Sequence, residues 1–143
     1  MIMTTKEKTL ITVQITVKAP IDKVWKYWTQ PEHITKWNYA NDDWHTPWAK
    51  NDLRVGGKFT ARMEAKDGST GFDFGGEYST VKPYELIEYI IGDGRKVEVI
   101  FSNKDNAINI IETFEAESVN SYEMQHRGWQ SILDNFKKYT EAK

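Results

Sequence analysis

The sequence predicts an α+β domain in which a curved antiparallel β-sheet wraps around one long C-terminal α-helix, with two short helices after the first strand. Three observations carry this. "TLITVQITV" (9–17) alternates strictly between apolar and polar positions, the signature of a half-buried strand. Further strand-like runs follow from about residue 59 to 114, joined by short connections rich in turn residues. The last segment, "SYEMQHRGWQSILDNFKKYTEAK", places Tyr122, Gln125 or His126, Trp129, Ile132 or Leu133, Phe136 and Tyr139 on one stripe at helical spacing. A chain of 143 residues fits one domain, 1–143, and folding at that length buries roughly two-thirds of the unfolded surface.

Taken in order, Ile11, Val13, Ile15 and Val17 form one face of the first strand, which ends at Ala19 and Pro20. From Pro20, a good first helical residue, Ile21, Val24, Trp25 and Trp28 recur at three- and four-residue steps. Pro31 then opens a second helical piece running to about Trp37. An aperiodic stretch, "NYANDDWHTPWAKN", reads as a loop. After it Phe59, Ala61, Met63 and Ala65 alternate up to a turn at Asp67 and Gly68. Four strands follow over 72–81, 86–91, 95–101 and 107–114, close enough for an antiparallel meander. Ser121 is placed to cap the final helix, with Met124 at the third position, and the helix runs for about 20 residues, near 30 Å. Such a sheet has one apolar face to cover, and the long helix covers it.

Charged residues make up 28% of the chain and balance to −2, with no run of like charge fit for a polyanion, so no nucleic-acid partner is expected. The absence of cysteine excludes disulfides, thiolate metal sites and cysteine nucleophiles. "MIMTTKEKTLITVQITV" lacks the apolar core of a leader, and no segment approaches the roughly 20 apolar residues of a membrane span. A cytoplasmic protein is expected. His33, His45 and His126 lack ligand spacing, so no metal and no cofactor is expected either. Gly56 and Gly57 precede a strand and lack a Lys-Ser/Thr ending, which makes them a turn rather than a phosphate loop. Gly75 and Gly76 are expected to let the sheet bend, and Gly128 either to bring helix and sheet together or to widen a cavity beside Trp129.

The order of elements, with A-P-x-x-x-V-W at 19–25, P-E-H-I-x-x-W at 31–37, D-L-R-x-G-G at 52–57 and G-W at 128–129, resembles the START-like helix-grip superfamily (SRPBCC, birch-pollen-allergen-like). Within it the chain is similar to the group related to the C-terminal domain of the activator of the ninety-kilodalton heat-shock chaperone ATPase. The similarity runs from about Thr9 to the end. It implies a helix-grip fold with a cavity between sheet and long helix. Relatives include lipid carriers, hormone and allergen-type ligand binders, cyclase-like enzymes and chaperone regulators, so the fold supplies a cavity rather than a task. Binding of a small hydrophobic or aromatic ligand, without catalysis, is the first expectation. A chaperone partner ranks behind it, because the chaperone activator makes contacts through a further domain for which this chain has no residues to spare. A cyclase-like or hydrolase-like enzyme is the remaining alternative.

The aromatic share of 13%, with six tryptophans, gives such a cavity its walls. Trp37, Trp44 and Trp48 fall where the resemblance places one end of the cavity. Trp37 belongs to the motif pattern and is expected to plug the core; Trp44 and Trp48 either form a lid or cover the sheet edge. Phe59, Tyr78, Phe114, Trp129 and Leu133 are further cavity candidates. Glu112 shares a face with Ile108, Ile110 and Phe114 by parity. The plainer expectation is that an edge position or a bulge returns it to solvent; if it points inward, it has a raised pKa or a partner and serves as a ligand anchor or general acid/base. His126, one turn before Trp129, is the best acid/base candidate among the histidines. No catalytic residue is assigned.

Overall fold

The computed structural model describes residues 9–142. The part of the N-terminal stretch before residue 9, read above as lacking a leader's apolar core, lies outside the described residues. Strand β1 (Leu10–Val17) is followed by helices α1 (Ile21–Thr29) and α2 (Pro31–Ile34). Strands β2 (Trp44–His45), β3 (Ala49–Asn51), β4 (Lys58–Ala65), β5 (Gly71–Lys82), β6 (Leu86–Ile91), β7 (Lys96–Lys104) and β8 (Ala107–Glu115) come next, and α3 (Tyr122–Ala142) closes the chain. The sheet order is β1-β8-β7-β6-β5-β4-β2, with β3 also on β4, and every pairing is antiparallel. Strands β4 to β8 form a meander, β2 and β3 both hang on β4, and β1 closes beside β8. No helix among the described residues is long and apolar enough to cross a membrane.

The loop read over 38–51 contains two short strands. Trp44 pairs with Ala65 and Ala49 with Ala61, so both segments hang on β4. Runs of two and three residues are too short for an alternation to register. Pro20 is the cap of α1 rather than its first residue, and α2 stops at Ile34 and continues as a turn to Trp37. Ser121 Oγ accepts the Met124 N–H at 3.1 Å, the cap its position predicts.

Register turns the sequence alternation into rows of side chains across the sheet. One row runs Ile11, Phe114, Val97, Tyr89, Tyr78, and all five are buried. The next runs Val13, Glu112, Val99, Ile87, Val81. Glu112 is therefore the single acid in an apolar row, and it is 5% exposed. The expectation that an edge or a bulge returns it to solvent is corrected: β8 lies between β1 and β7 with unbroken register on both sides. The bulge in this sheet is elsewhere, between Tyr78 and Thr80 on β5.

Helix α3 covers the inner face with Leu133 and Phe136, both fully buried, and also guards the sheet edge. Gln130 bonds the Gln14 N–H and C=O, Lys137 Nζ donates to Thr16 C=O at 2.6 Å, and Glu141 accepts the Lys18 N–H at 2.8 Å. These side chains satisfy backbone groups that an edge strand otherwise leaves open. The two-glycine step in β5 has a steric cause. A Cβ on Gly75 would stand 2.5 Å from the Phe59 carbonyl oxygen, and one on Gly76 2.5 Å from that of Ile90. Gly128 is different: a Cβ there meets nothing within 4 Å, so of the two roles expected of it the structure supports the wider cavity.

Candidate functional site

Between the sheet and α3 lies a cavity of about 420 Å³. One end is closed by an aromatic cluster that the short helices bring together. Trp28 stacks on Trp37 with ring centres 4.9 Å apart, and both meet Phe136 edge-on. Trp37 Nε1 donates to Tyr27 C=O at 2.9 Å, which satisfies its polar atom while the ring stays buried. Trp37 thus plugs the core and lines the cavity at once. The sheet wall carries Phe59, Phe74, Tyr78 and Tyr89; Phe59 meets Tyr89 edge-on at 4.8 Å. On the helix side Trp129 faces the cavity and stacks on Phe114 at 3.9 Å, with planes 12° apart. Exposed Lys50, Phe72 and Met124 also line the space, so it reaches solvent.

Few polar groups enter. Tyr78 Oη donates to Asn51 Oδ1 at 2.6 Å, and Asn51 Nδ2 donates to Thr29 C=O at 2.6 Å, so β3 ties the end of α1 to β5. Burial pushes the Tyr78 hydroxyl far up. It does the same at Tyr89, where the Glu112 carboxylate adds to the shift. Gln125 is buried and pinned: it donates to the Glu117 and Asn120 carbonyls and accepts the Glu117 N–H at 2.9 Å. Glu112 lines the cavity with no hydrogen-bond partner among the described residues. Burial alone raises its carboxyl pKa to about 8.

Of the residues singled out from the sequence, the structure brings Trp37, Phe59, Tyr78, Glu112 and Trp129 to the cavity wall. Phe114 and Leu133 stand in the core at 1% and 0% exposure, Phe114 as the support on which Trp129 lies. Trp44, Trp48 and His126 are not on the wall. Trp44 packs edge-on against Phe72 at the far edge of the sheet, and Trp48 lies exposed under the Lys50 ammonium, 5.5 Å from its ring. Trp44 pairs with Ala65, which has the parity of the cavity liners Ala61 and Met63, so it sits at the rim on the cavity side of the sheet, while Trp48 precedes β3 and its C=O accepts the Arg62 N–H of β4. His126 is exposed because the stripe of α3 turns Gln125 inward instead. His33 stacks on Tyr27 and bonds Tyr139 through Nδ1 at 2.7 Å, and His45 lies 3.8 Å from Glu64. Trp28, Phe74, Tyr89 and Gln125 are among the liners that the sequence did not single out as cavity residues. For Tyr89 the alternation of β6 held the signal, since it shares a parity with Ile87 and Ile91.

A solution structure of an AHSA1-like protein from Aeromonas hydrophila is 42% identical, matches 94% of this chain and 93% of its own, and has a TM-score of 0.88. A solution structure from Cytophaga hutchinsonii is 56% identical over 92% of each chain, with a TM-score of 0.81. A crystal structure from Nitrosomonas europaea, 16% identical with a TM-score of 0.80 over 93% and 94% of the two chains, shares the fold. No curated protein sequence matches the chain. The family model described as Activator of Hsp90 ATPase homolog 1-like protein matches residues 18–141. With the curled antiparallel sheet, the short helices after β1 and the long gripping helix, the chain belongs to that family of START-like helix-grip domains.

Proposed function

We propose that this protein binds a small hydrophobic or aromatic molecule in the cavity between the sheet and α3, without converting it. The observation that carries the reading is the cavity itself: about 420 Å³, walled by aromatic rings and open to solvent at its rim. Sites for small molecules have this size and this balance of apolar wall to sparse polar groups. The test is mass spectrometry of organic extracts of the purified protein against a buffer blank, with tryptophan emission followed as each recovered compound is added back. A co-purifying compound that shifts the emission saturably is the expected result, because Trp28, Trp37 and Trp129 line the space. An empty extract, with emission unmoved by a panel of hydrophobic and aromatic compounds, overturns the reading. Glu112 favours one second reading, catalysis on the same ligand, since a buried acid with a raised pKa is suited to proton transfer. Turnover of a recovered compound that Glu112→Gln abolishes while binding persists would establish it.

A further inference from the structure

Glu112 has a neighbour that shows what it lacks. Glu115, on the same strand and equally buried, accepts the Lys96 N–H at 2.6 Å. Glu112 is flanked in register by Val13 and Val99, and no described residue bonds its carboxyl. Leaving a buried carboxyl unpartnered is costly, and its partner has to come from the cavity it lines.

The other titratable and charged groups of the cavity do not serve. Arg95 is engaged with Asp93 at 2.8 Å and with the Glu115 carbonyl at 3.0 Å, and Lys50 lies over Trp48. Glu117 is occupied by the N–H groups of Val119 and Asn120. Tyr78 gives its proton to Asn51, and Tyr89 is an uncharged phenol. The cavity wall carries several aromatic rings, with Tyr89 close enough to Glu112 to feel its charge, and ring faces attract cations. An anionic headgroup placed deep in the cavity meets an acid and no free base; a cation meets an acid and several π faces.

Resting on the ligand-binding reading above, we propose that the cavity selects a hydrophobic ring compound carrying one basic nitrogen, held as the ammonium against the Glu112 carboxylate. Binding then ionises Glu112. The ligand arrives protonated from solution, the complex keeps one proton on nitrogen, and the carboxyl proton leaves to solvent. Because the empty site holds the acid protonated at neutral pH, close to one proton per ligand is released.

Three probes of one shape test this: 1-naphthylmethylamine, 1-naphthylmethanol and 1-naphthoic acid, titrated by tryptophan emission and by calorimetry in buffers of different ionisation enthalpy. At pH 7 the amine is expected to bind about tenfold or more tighter than the alcohol, and the acid weakest of the three. The amine is expected to release about one proton, the alcohol none. In Glu112→Gln the gap between amine and alcohol closes and the proton release disappears. Equal binding of all three, or an amine preference that survives Glu112→Gln, overturns the basic-nitrogen proposal and leaves the hydrophobic-cavity reading standing. If none of the three binds, both fall. The comparison of probes in the unaltered protein needs no variant to fold.

Discussion

At Glu112, burial in the row formed with Val13, Val99 and Ile87 raises the carboxyl pKa from 4.5 to about 8. Between those values the folded protein holds a proton that the unfolded chain has released. The contribution of this group to stability is therefore complete below about pH 4.5, declines as pH rises toward 8 and is flat above it. At about 1.4 kcal/mol per pKa unit the loss amounts to a few kcal/mol. His33 has the opposite sign: desolvation lowers its pKa, so its contribution is present above its ordinary value and is lost as pH falls. The difference between the protein and Glu112→Gln cancels that background. Urea unfolding at pH 5 and pH 9 is expected to show the variant gaining over the unaltered protein at the higher pH by a few kcal/mol more than at the lower. A constant difference would mean that the carboxyl ionises as freely folded as unfolded.

Among the elements, β5 and α3 place glycine for opposite reasons. Gly76→Ala drives a methyl group against the Ile90 carbonyl and is expected to destabilise by roughly 1–3 kcal/mol. Gly128→Ala meets open space in a helix interior and is expected to stabilise by about 1 kcal/mol, a melting shift near 4 °C. Thermal melts of the two variants decide both signs. The same elements show what the sequence could reveal. Strands β1 and β4 to β8, and the stripe of α3, were legible because alternation and helical period are properties of neighbours along the chain. The inward aim of Glu112 was written in its parity, yet whether β8 was an edge depended on β1, ninety-odd residues away, closing beside it. The places of Trp44 and Trp48 were not legible for the same reason: they depend on backbone pairing with β4, a strand later in the chain. The choice between Gln125 and His126 turned on one step of helix phase, which a stripe read from sequence leaves open.

For the whole molecule, the grip of α3 on the sheet protects an edge and holds open a space. Gln130→Ala combined with Lys137→Ala frees the Gln14 and Thr16 backbone groups on β1, and sedimentation at increasing concentration is expected to show more self-association than the unaltered protein does. The space is the more telling feature. An apolar cavity of about 420 Å³ forgoes packing that a larger side chain would supply. Gly128 lines it, and nothing stands where its Cβ would be. Gly128→Leu therefore extends a side chain into the cavity from the helix without displacing backbone. If the cavity exists to hold a ligand, this variant melts no lower than the unaltered protein, yet binds the recovered compound at least about tenfold more weakly. Tryptophan titration beside a thermal melt measures both quantities on one sample. Binding that survives a filled cavity would move the ligand site elsewhere on the molecule. A fall in stability with the binding would mean that the packing around Gly128 had been disturbed, and Gly128→Ala, which adds one methyl group to the same space, then separates the two effects.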